Sequence, residues 1–120
     1  EPRDGWLWEI IAGRLDEGET AQDAVRREAL EEAGYALGEL RPIATFYVSP
    51  GGSTERIHLY WSPATRQAQV SVGGGLPGHE DIRVCVFDLD EALRMIADGR
   101  IVDAKTIIAL QYLTLHEPLV

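Results

Sequence analysis

Cysteine is nearly absent from this chain of 120 residues: Cys85 is the only one, so no disulfide can form within the chain. Disulfides persist in oxidising compartments, and a chain that can form none fits the reducing cytosol, where we expect this protein. Long apolar runs are absent too, since none approaches the ~18 residues that a membrane-spanning helix needs. We therefore expect no membrane partner.

Positive charge is also scarce. The chain carries 11 lysines and arginines against 20 aspartates and glutamates, for a formal net charge of -9. A surface this acidic repels phosphate, so we expect no non-specific binding to nucleic acid or to an anionic membrane. An acidic protein that acts on a phosphate substrate needs a cation between the two.

The sequence does contain the pattern of one α/β unit, with 45% apolar residues to build a modest core. The stretch "WLWEIIA" at 6–12 is aromatic and β-branched, which is typical of a buried strand, and a loop follows at 13–18. The last predicted helix, at 103–116, is apolar on most sides, so we expect it to be well buried. Cys85 lies within a predicted strand at 82–88, and we expect it in the core. The further predicted elements are strands at 41–48, 55–62 and 82–88, a loop at 64–81, and helices at 90–99 and 103–116.

The first helix has the clearest pattern. From Ala21 to Ala33 small apolar residues recur at steps of three and four, which is the mark of an amphipathic helix. Thr20 is suited to cap its N-terminus, and Gly34 is a natural stop at its C-terminus. The sequence therefore predicts a helix that begins after Thr20 and ends before Gly34.

Three glutamates, Glu28, Glu31 and Glu32, lie three and four residues apart on this helix and project over one arc; we call them the acidic cluster. Like charges at that spacing destabilise a helix by roughly 0.2–0.5 kcal/mol per pair, and Arg27 offsets part of this. One interpretation is a solvated acidic face. The other is a site for a hard divalent cation, with the backbone carbonyl of Ala12 beside the carboxylates.

The wider spacing of these residues resembles the Nudix box of the Nudix hydrolase superfamily. Gly13, Glu19, 27–28, 31–32 and Gly34 match its fixed positions, and only its apolar positions carry mild variants. The stretches "WLWEIIAGRLDEGE", "SPGGSTERI", "GHEDIRV" and "IVDAKTIIALQYLTLH" further resemble the bacterial ADP-ribose pyrophosphatase branch of that superfamily.

The resemblance implies a fold and an activity. The fold is the Nudix α/β/α sandwich with a mixed sheet, as one domain over residues 1–120. The activity is hydrolysis of the diphosphate linkage of ADP-ribose to AMP and ribose 5-phosphate, with Mg²⁺ or Mn²⁺ as cofactor. Two alternatives stay open: a hydrolase of another nucleoside diphosphate sugar such as GDP-mannose, and a non-catalytic module that binds a nucleotide sugar.

Relative to that branch, the chain lacks the part that precedes "WLWE". In the branch this part contributes strands, contacts between the subunits of a dimer, and residues that hold the nucleotide. We therefore expect an N-terminally truncated domain, an exposed sheet edge or apolar patch, and a homodimer.

The resemblance also implies roles for individual residues. Glu19 and Arg27 are expected to form a supporting ion pair. The expected metal ligands are the carbonyl of Ala12 and the carboxylates of Glu28, Glu32 and Glu80, with Glu31 beside them as a further catalytic carboxylate. The expected substrate-binding residues are Arg14, Ser49, Pro50, Gly51 and Glu55.

The chain departs from the branch at the general base, the group that takes the proton from the attacking water. The branch usually places a glutamate there, two residues before Glu80, and this chain has Gly78. Glycine cannot take a proton, so three outcomes are open: Glu80 acts as base, His79 does, or the activity is slow or altered. The glycine-rich stretch 73–78 is interpreted as a mobile lid.

Overall fold

The computed structural model of the protein describes residues 10–11, 18–49, 51, 56–75 and 82–116. These residues contain three α-helices and one pair of strands, so the chain is an α/β protein, as predicted. In chain order the elements are α1 (Ala21–Glu28) continued by a π-helical turn (Ala29–Ala33), β1 (Arg41–Tyr47), β2 (Arg56–Trp61), a short 3₁₀ turn (Arg66–Ala68), α2 (Leu89–Ala97) and α3 (Ala104–His116).

The chain divides into two compact units, one from Ile11 to Val84 and the other formed by residues 1–10 and 85–120. In the first unit β1 and β2 pair antiparallel, with Arg41 opposite Trp61. The register shifts at Pro42, which has no backbone N–H to contribute to the ladder. Both strands fall within one residue of their predicted bounds, because the turn residues between them mark where each strand ends.

The first helix, which consists of α1 and its π-helical turn, also begins and ends where the sequence predicts. The backbone N–H of Asp23 donates to Oγ1 of Thr20 at 3.1 Å, which is an N-cap hydrogen bond. Gly34 ends the helix in the left-handed conformation, with φ 76°. The apolar spacing does not distinguish the π-helical last turn from an α-helical one, so that turn was not predicted.

The second unit packs α2 beside α3 over a small core. Met95, 1% exposed, is its most buried large side chain. The carboxylate of Asp103 caps α3 by accepting from the backbone N–H of Thr106 at 3.0 Å and from its hydroxyl at 2.8 Å. The same hydroxyl accepts from the backbone N–H of Ile10 at 2.9 Å, which ties that residue to the start of α3.

Three predictions for residues 82–116 are wrong. Residues 82–88 form no strand, and Cys85 is exposed. Alternating apolar residues favour a strand only where a neighbouring strand completes the hydrogen bonds, and no described segment pairs with 82–88. Helix α3 is also less buried than predicted, since Leu115 is 75% exposed.

The described residues form a two-stranded antiparallel sheet. The predicted strand at 6–12 lies outside the described residues except for its last positions, 10 and 11. The mixed sheet and the sandwich therefore stay predictions. None of the described helices combines the length and the apolar character that crossing a membrane requires.

Candidate active site

The acidic cluster lies at the C-terminal end of the first helix. Glu28 is the last residue of α1, and Glu31 and Glu32 belong to the π-helical turn. The side chain of Glu28 is only 12% exposed and that of Glu31 only 27%, while Glu32 as a residue is 8% exposed. A solvated acidic face would be far more open, so the structure speaks against that interpretation.

Arg27 supports the cluster from the preceding position. Its Nε donates to Oε2 of Glu19 at 2.8 Å, and its Nη2 donates to Oε1 of the same carboxylate at 3.0 Å. This is the predicted ion pair, in the parallel two-bond geometry that suits a planar guanidinium. It fixes Glu19, which precedes the helix, to the side chain of a residue near the end of α1.

The same guanidinium also faces two members of the cluster. Its Nη1 lies 3.4 Å from Oε1 of Glu28 and 3.4 Å from Oε1 of Glu31. These contacts are longer than the bonds to Glu19, so the attraction in each of them is weaker. One guanidinium thus faces three carboxylates, and Glu32 adds a fourth in the next turn. Half-buried like charges of this kind are costly unless a cation accompanies them.

The donor chemistry of the cluster fits a hard divalent cation in part. Mg²⁺ takes oxygen ligands and is commonly held by one or two carboxylates together with substrate phosphates and water. Among the residues that the structure describes, no three His, Cys, Asp or Glu side chains converge in a way that could hold a metal ion. Among the described residues the cluster can therefore supply at most two carboxylate ligands, and further ligands would have to come from elsewhere in the chain, from substrate or from water.

A backbone segment that the sequence did not single out for this role holds the end of the helix. The N–H of Gly74 donates to the carbonyl of Glu32 at 2.9 Å, and the N–H of Gly75 donates to the carbonyl of Glu31 at 2.8 Å. The signal in the sequence is the run of three glycines at 73–75, which was interpreted as part of a mobile lid. In the structure Gly74 and Gly75 are hydrogen-bonded to the end of the helix, and the rest of the proposed lid, 76–78, lies outside the described residues.

Of the other predicted site residues, the structure describes only Ser49 and Gly51. Ser49 is an exposed residue just beyond β1, and Gly51 is exposed in the turn that follows. Their role in substrate binding stays a prediction. The predicted residues outside the described part of the chain are Ala12, Arg14, Pro50, Glu55, His79 and Glu80.

Comparison with known proteins identifies relatives of this chain. The family model of the NUDIX domain matches residues 1–110. The ADP-ribose pyrophosphatase of Escherichia coli is 39% identical over 111 residues, which cover 92% of this chain and 53% of that relative. The GDP-mannose pyrophosphatase of Salmonella typhimurium is 42% identical over 111 residues, which cover 92% of this chain and 57% of that relative.

The chain thus spans about half the length of the curated relatives it matches. The residues that match the family model include 13–35, whose spacing of glycine, glutamate and arginine predicted the family. By the extent of the family match, which covers residues 1–110, the chain belongs to the NUDIX family.

Proposed function

We propose that the protein hydrolyses the diphosphate linkage of a nucleoside diphosphate sugar, and that ADP-ribose is its substrate, giving AMP and ribose 5-phosphate. The observation that carries this proposal is the sequestered acidic cluster, in which Glu32 is 8% exposed. A protein with a formal net charge of -9 needs a cation to bring a diphosphate close, and this cluster is built to attract one. The choice of ADP-ribose rests on the resemblance of residues 49–57 to that branch and on the Escherichia coli relative.

Glu28 and Glu32 are the proposed metal ligands, together with the carbonyl of Ala12 and the carboxylate of Glu80. Mg²⁺ or Mn²⁺ at such a site would neutralise the phosphate oxygens and lower the pKa of bound water. Glu31 would assist from the same helix turn. The ion pair between Glu19 and Arg27 would hold the start of the helix in place, which orients the carboxylates before substrate arrives.

Substrate contacts and proton transfer are assigned to loops. The proposed general base is Glu80 or His79, because Gly78 stands where the branch has a glutamate. A base on a loop must come within hydrogen-bond reach of the attacking water, so both candidates need testing by substitution. The proposed substrate-binding residues are Arg14, Ser49, Pro50, Gly51 and Glu55.

The fold, the oligomeric state and the location of the protein are proposed from the family resemblance and from the cysteine content. We expect the full Nudix α/β/α sandwich with a mixed sheet, a homodimer and a place in the cytoplasm. The resemblance to the ADP-ribose pyrophosphatase branch supports the sandwich and the dimer. The presence of a single cysteine, Cys85, supports a reducing compartment.

Two alternatives have specific support. The Salmonella typhimurium relative, a GDP-mannose pyrophosphatase at 42% identity, favours GDP-mannose as substrate. Gly78 in place of the usual base favours a module that binds a nucleotide sugar without hydrolysing it.

Release of AMP from ADP-ribose and of GMP from GDP-mannose, measured with and without Mg²⁺, tests the proposal. We expect a higher kcat/KM for ADP-ribose, strict metal dependence, and a loss of roughly 100-fold in Glu32→Gln. The matched control is Glu39→Gln, which removes a carboxylate that is 63% exposed and should leave turnover unchanged. Tight ADP-ribose binding without turnover would favour the binding module instead, and a preference for GDP-mannose would overturn the choice of substrate.

A further inference from the structure

The π-helical turn Ala29–Ala33 ends in carbonyl groups that the helix itself and the residues directly after it do not satisfy in full. An ordinary helix leaves its last four carbonyls without partners inside the helix. Here the N–H of Gly34 donates to the carbonyl of Leu30 at 3.1 Å, and the N–H of Tyr35 donates to that of Ala29 at 3.3 Å. The carbonyls of the next two residues, both members of the acidic cluster, are left for another part of the chain.

Residues 73–75, which we call the glycine strap, provide those partners. The carbonyls of Glu31 and Glu32 accept from Gly75 and Gly74 at 2.8 and 2.9 Å. The segment that leads into the strap is fixed too, because the N–H of Val70 donates to the carbonyl of Gly34 at 2.7 Å. The strap therefore binds the backbone of two glutamates of the cluster and is itself anchored beside them.

The contact between the strap and the helix depends on the absence of side chains. A Cβ atom added at Gly73 would overlap the carbonyl oxygen of Glu32 and would lie 2.7 Å from the carbonyl carbon of Ala33. A Cβ atom added at Gly34 would likewise overlap the carbonyl oxygen of Ser71. Gly73 and Gly34 also have φ of 73° and 76°, a region that side chains disfavour. Two backbones thus meet with no side chain between them.

From this arrangement we infer that Gly73, Gly74 and Gly75 are positioning residues for the metal site: they hold the peptides from which the carboxylates of Glu31 and Glu32 project. The inference rests on the proposed function. A carboxylate on a fixed backbone needs little reorganisation to bind a cation, and groups that orient ligands commonly contribute 10–100-fold in metal affinity. Glycines at a π-helical turn fit this role, since such turns are frequent at functional sites.

Mn²⁺ binding to the whole protein, followed by electron paramagnetic resonance of the free ion, tests the inference without reference to turnover. We expect Gly73→Ala to raise the Kd for Mn²⁺ about tenfold. The matched control is Gly99→Ala: Gly99 has a similar φ of 85°, but a Cβ atom there meets nothing within 4 Å. This control carries the same backbone strain without the overlap, so its Kd should stay within about twofold of the wild type.

A second variant covers the case in which Gly73→Ala does not fold. In Gly74→Ala the added Cβ lies 3.8 Å from its nearest neighbour, the carbonyl oxygen of Ile82, so only the φ of 104° opposes the change. We expect a smaller rise in the Kd for Mn²⁺, with KM for the nucleotide sugar unchanged at saturating metal. An unchanged Kd in a folded Gly73→Ala protein would overturn the inference.

The inference and the proposed function fail in different ways. If the wild type binds no Mn²⁺, both the proposed function and the role of the strap are overturned. If the wild type and both folded strap variants bind Mn²⁺ with the same Kd, the role of the strap is overturned but the proposed function is not. Loss of folding in both variants, with Gly99→Ala folded, would make the strap a folding element and would also overturn its role in metal binding.

Discussion

Arg27 holds Glu19 through two hydrogen bonds, Nε to Oε2 at 2.8 Å and Nη2 to Oε1 at 3.0 Å, while its Nη1 faces the acidic cluster. The two partners are eight residues apart, so the pair joins the segment before α1 to the helix itself. One side chain thus orients the approach to the helix and partly neutralises the carboxylates that we propose as the metal site.

The two-bond geometry predicts that lysine cannot replace Arg27. A lysine carries the same charge but only one point of contact, so it cannot make both parallel bonds to Glu19. We expect Arg27→Lys to lower the free energy of unfolding by about 1–2 kcal/mol. Unfolding of the wild type and of Arg27→Lys in urea measures this difference in the free energy of unfolding.

The matched control is Arg66→Lys, at an exposed position of the 3₁₀ turn. This change should stay within about 0.5 kcal/mol of the wild type. If Arg27→Lys and Arg66→Lys unfold at the same urea concentration, the pair with Glu19 contributes nothing specific.

The capping residue of α3 predicts a pH dependence. Burial alone would raise the pKa of Asp103, but hydrogen bonds from Lys105 and Thr106 outweigh it and lower the pKa below its ordinary value of 3.8. The unfolded chain then binds a proton more readily than the folded one. The stabilisation is therefore complete above the ordinary pKa and is lost as the pH falls through the lower folded value.

Comparison of the wild type with Asp103→Asn checks this. At neutral pH we expect the variant to be less stable by about 0.3–1 kcal/mol, because its amide oxygen can still accept from the backbone N–H of Thr106 but carries no negative charge to attract Lys105 and the N-terminus of the helix. The difference should shrink as the pH falls through the ordinary value of 3.8 towards the lower folded pKa, because the carboxyl of Asp103 takes up its proton in the unfolded chain before it does so in the folded one. A difference of the same size across the whole acid range would contradict the assignment.

The exposure of Cys85 predicts that its thiol is reactive in the native protein. A disulfide reagent such as DTNB should modify it without denaturant, at a rate comparable to that in the unfolded chain, because access is not limiting. Cys85→Ser should abolish the reaction. Modification only after unfolding would instead place the thiol in a strand core, as the sequence suggested.

Local patterns were enough to predict α1 and the β1–β2 pair. Thr20 and Gly34 mark the ends of the helix by their own chemistry, and the residues between the strands mark the turn. The segment 82–88 was mispredicted because alternation does not show whether a neighbouring strand exists. Its Val86 is 88% exposed.

The candidate site, too, was predicted from the sequence only in part. The spacing of Glu28, Glu31 and Glu32 was sufficient to find the acidic cluster, because residues three and four apart share a helix face. The hydrogen bonds that the carbonyls of Glu31 and Glu32 accept come from Gly75 and Gly74, which lie in a distant segment of the chain. No pattern within the helix carries that information.

Calorimetric titration of Mg²⁺ in the presence of AMP, the expected product, tests the central claim most directly: the acidic cluster is the metal site. We predict saturable binding to the wild type and to Glu39→Gln. In Glu28→Gln and Glu32→Gln, each lacking one ligand, we predict affinity at least about tenfold weaker. Binding of equal strength in all four proteins, or no binding in the wild type, would contradict it.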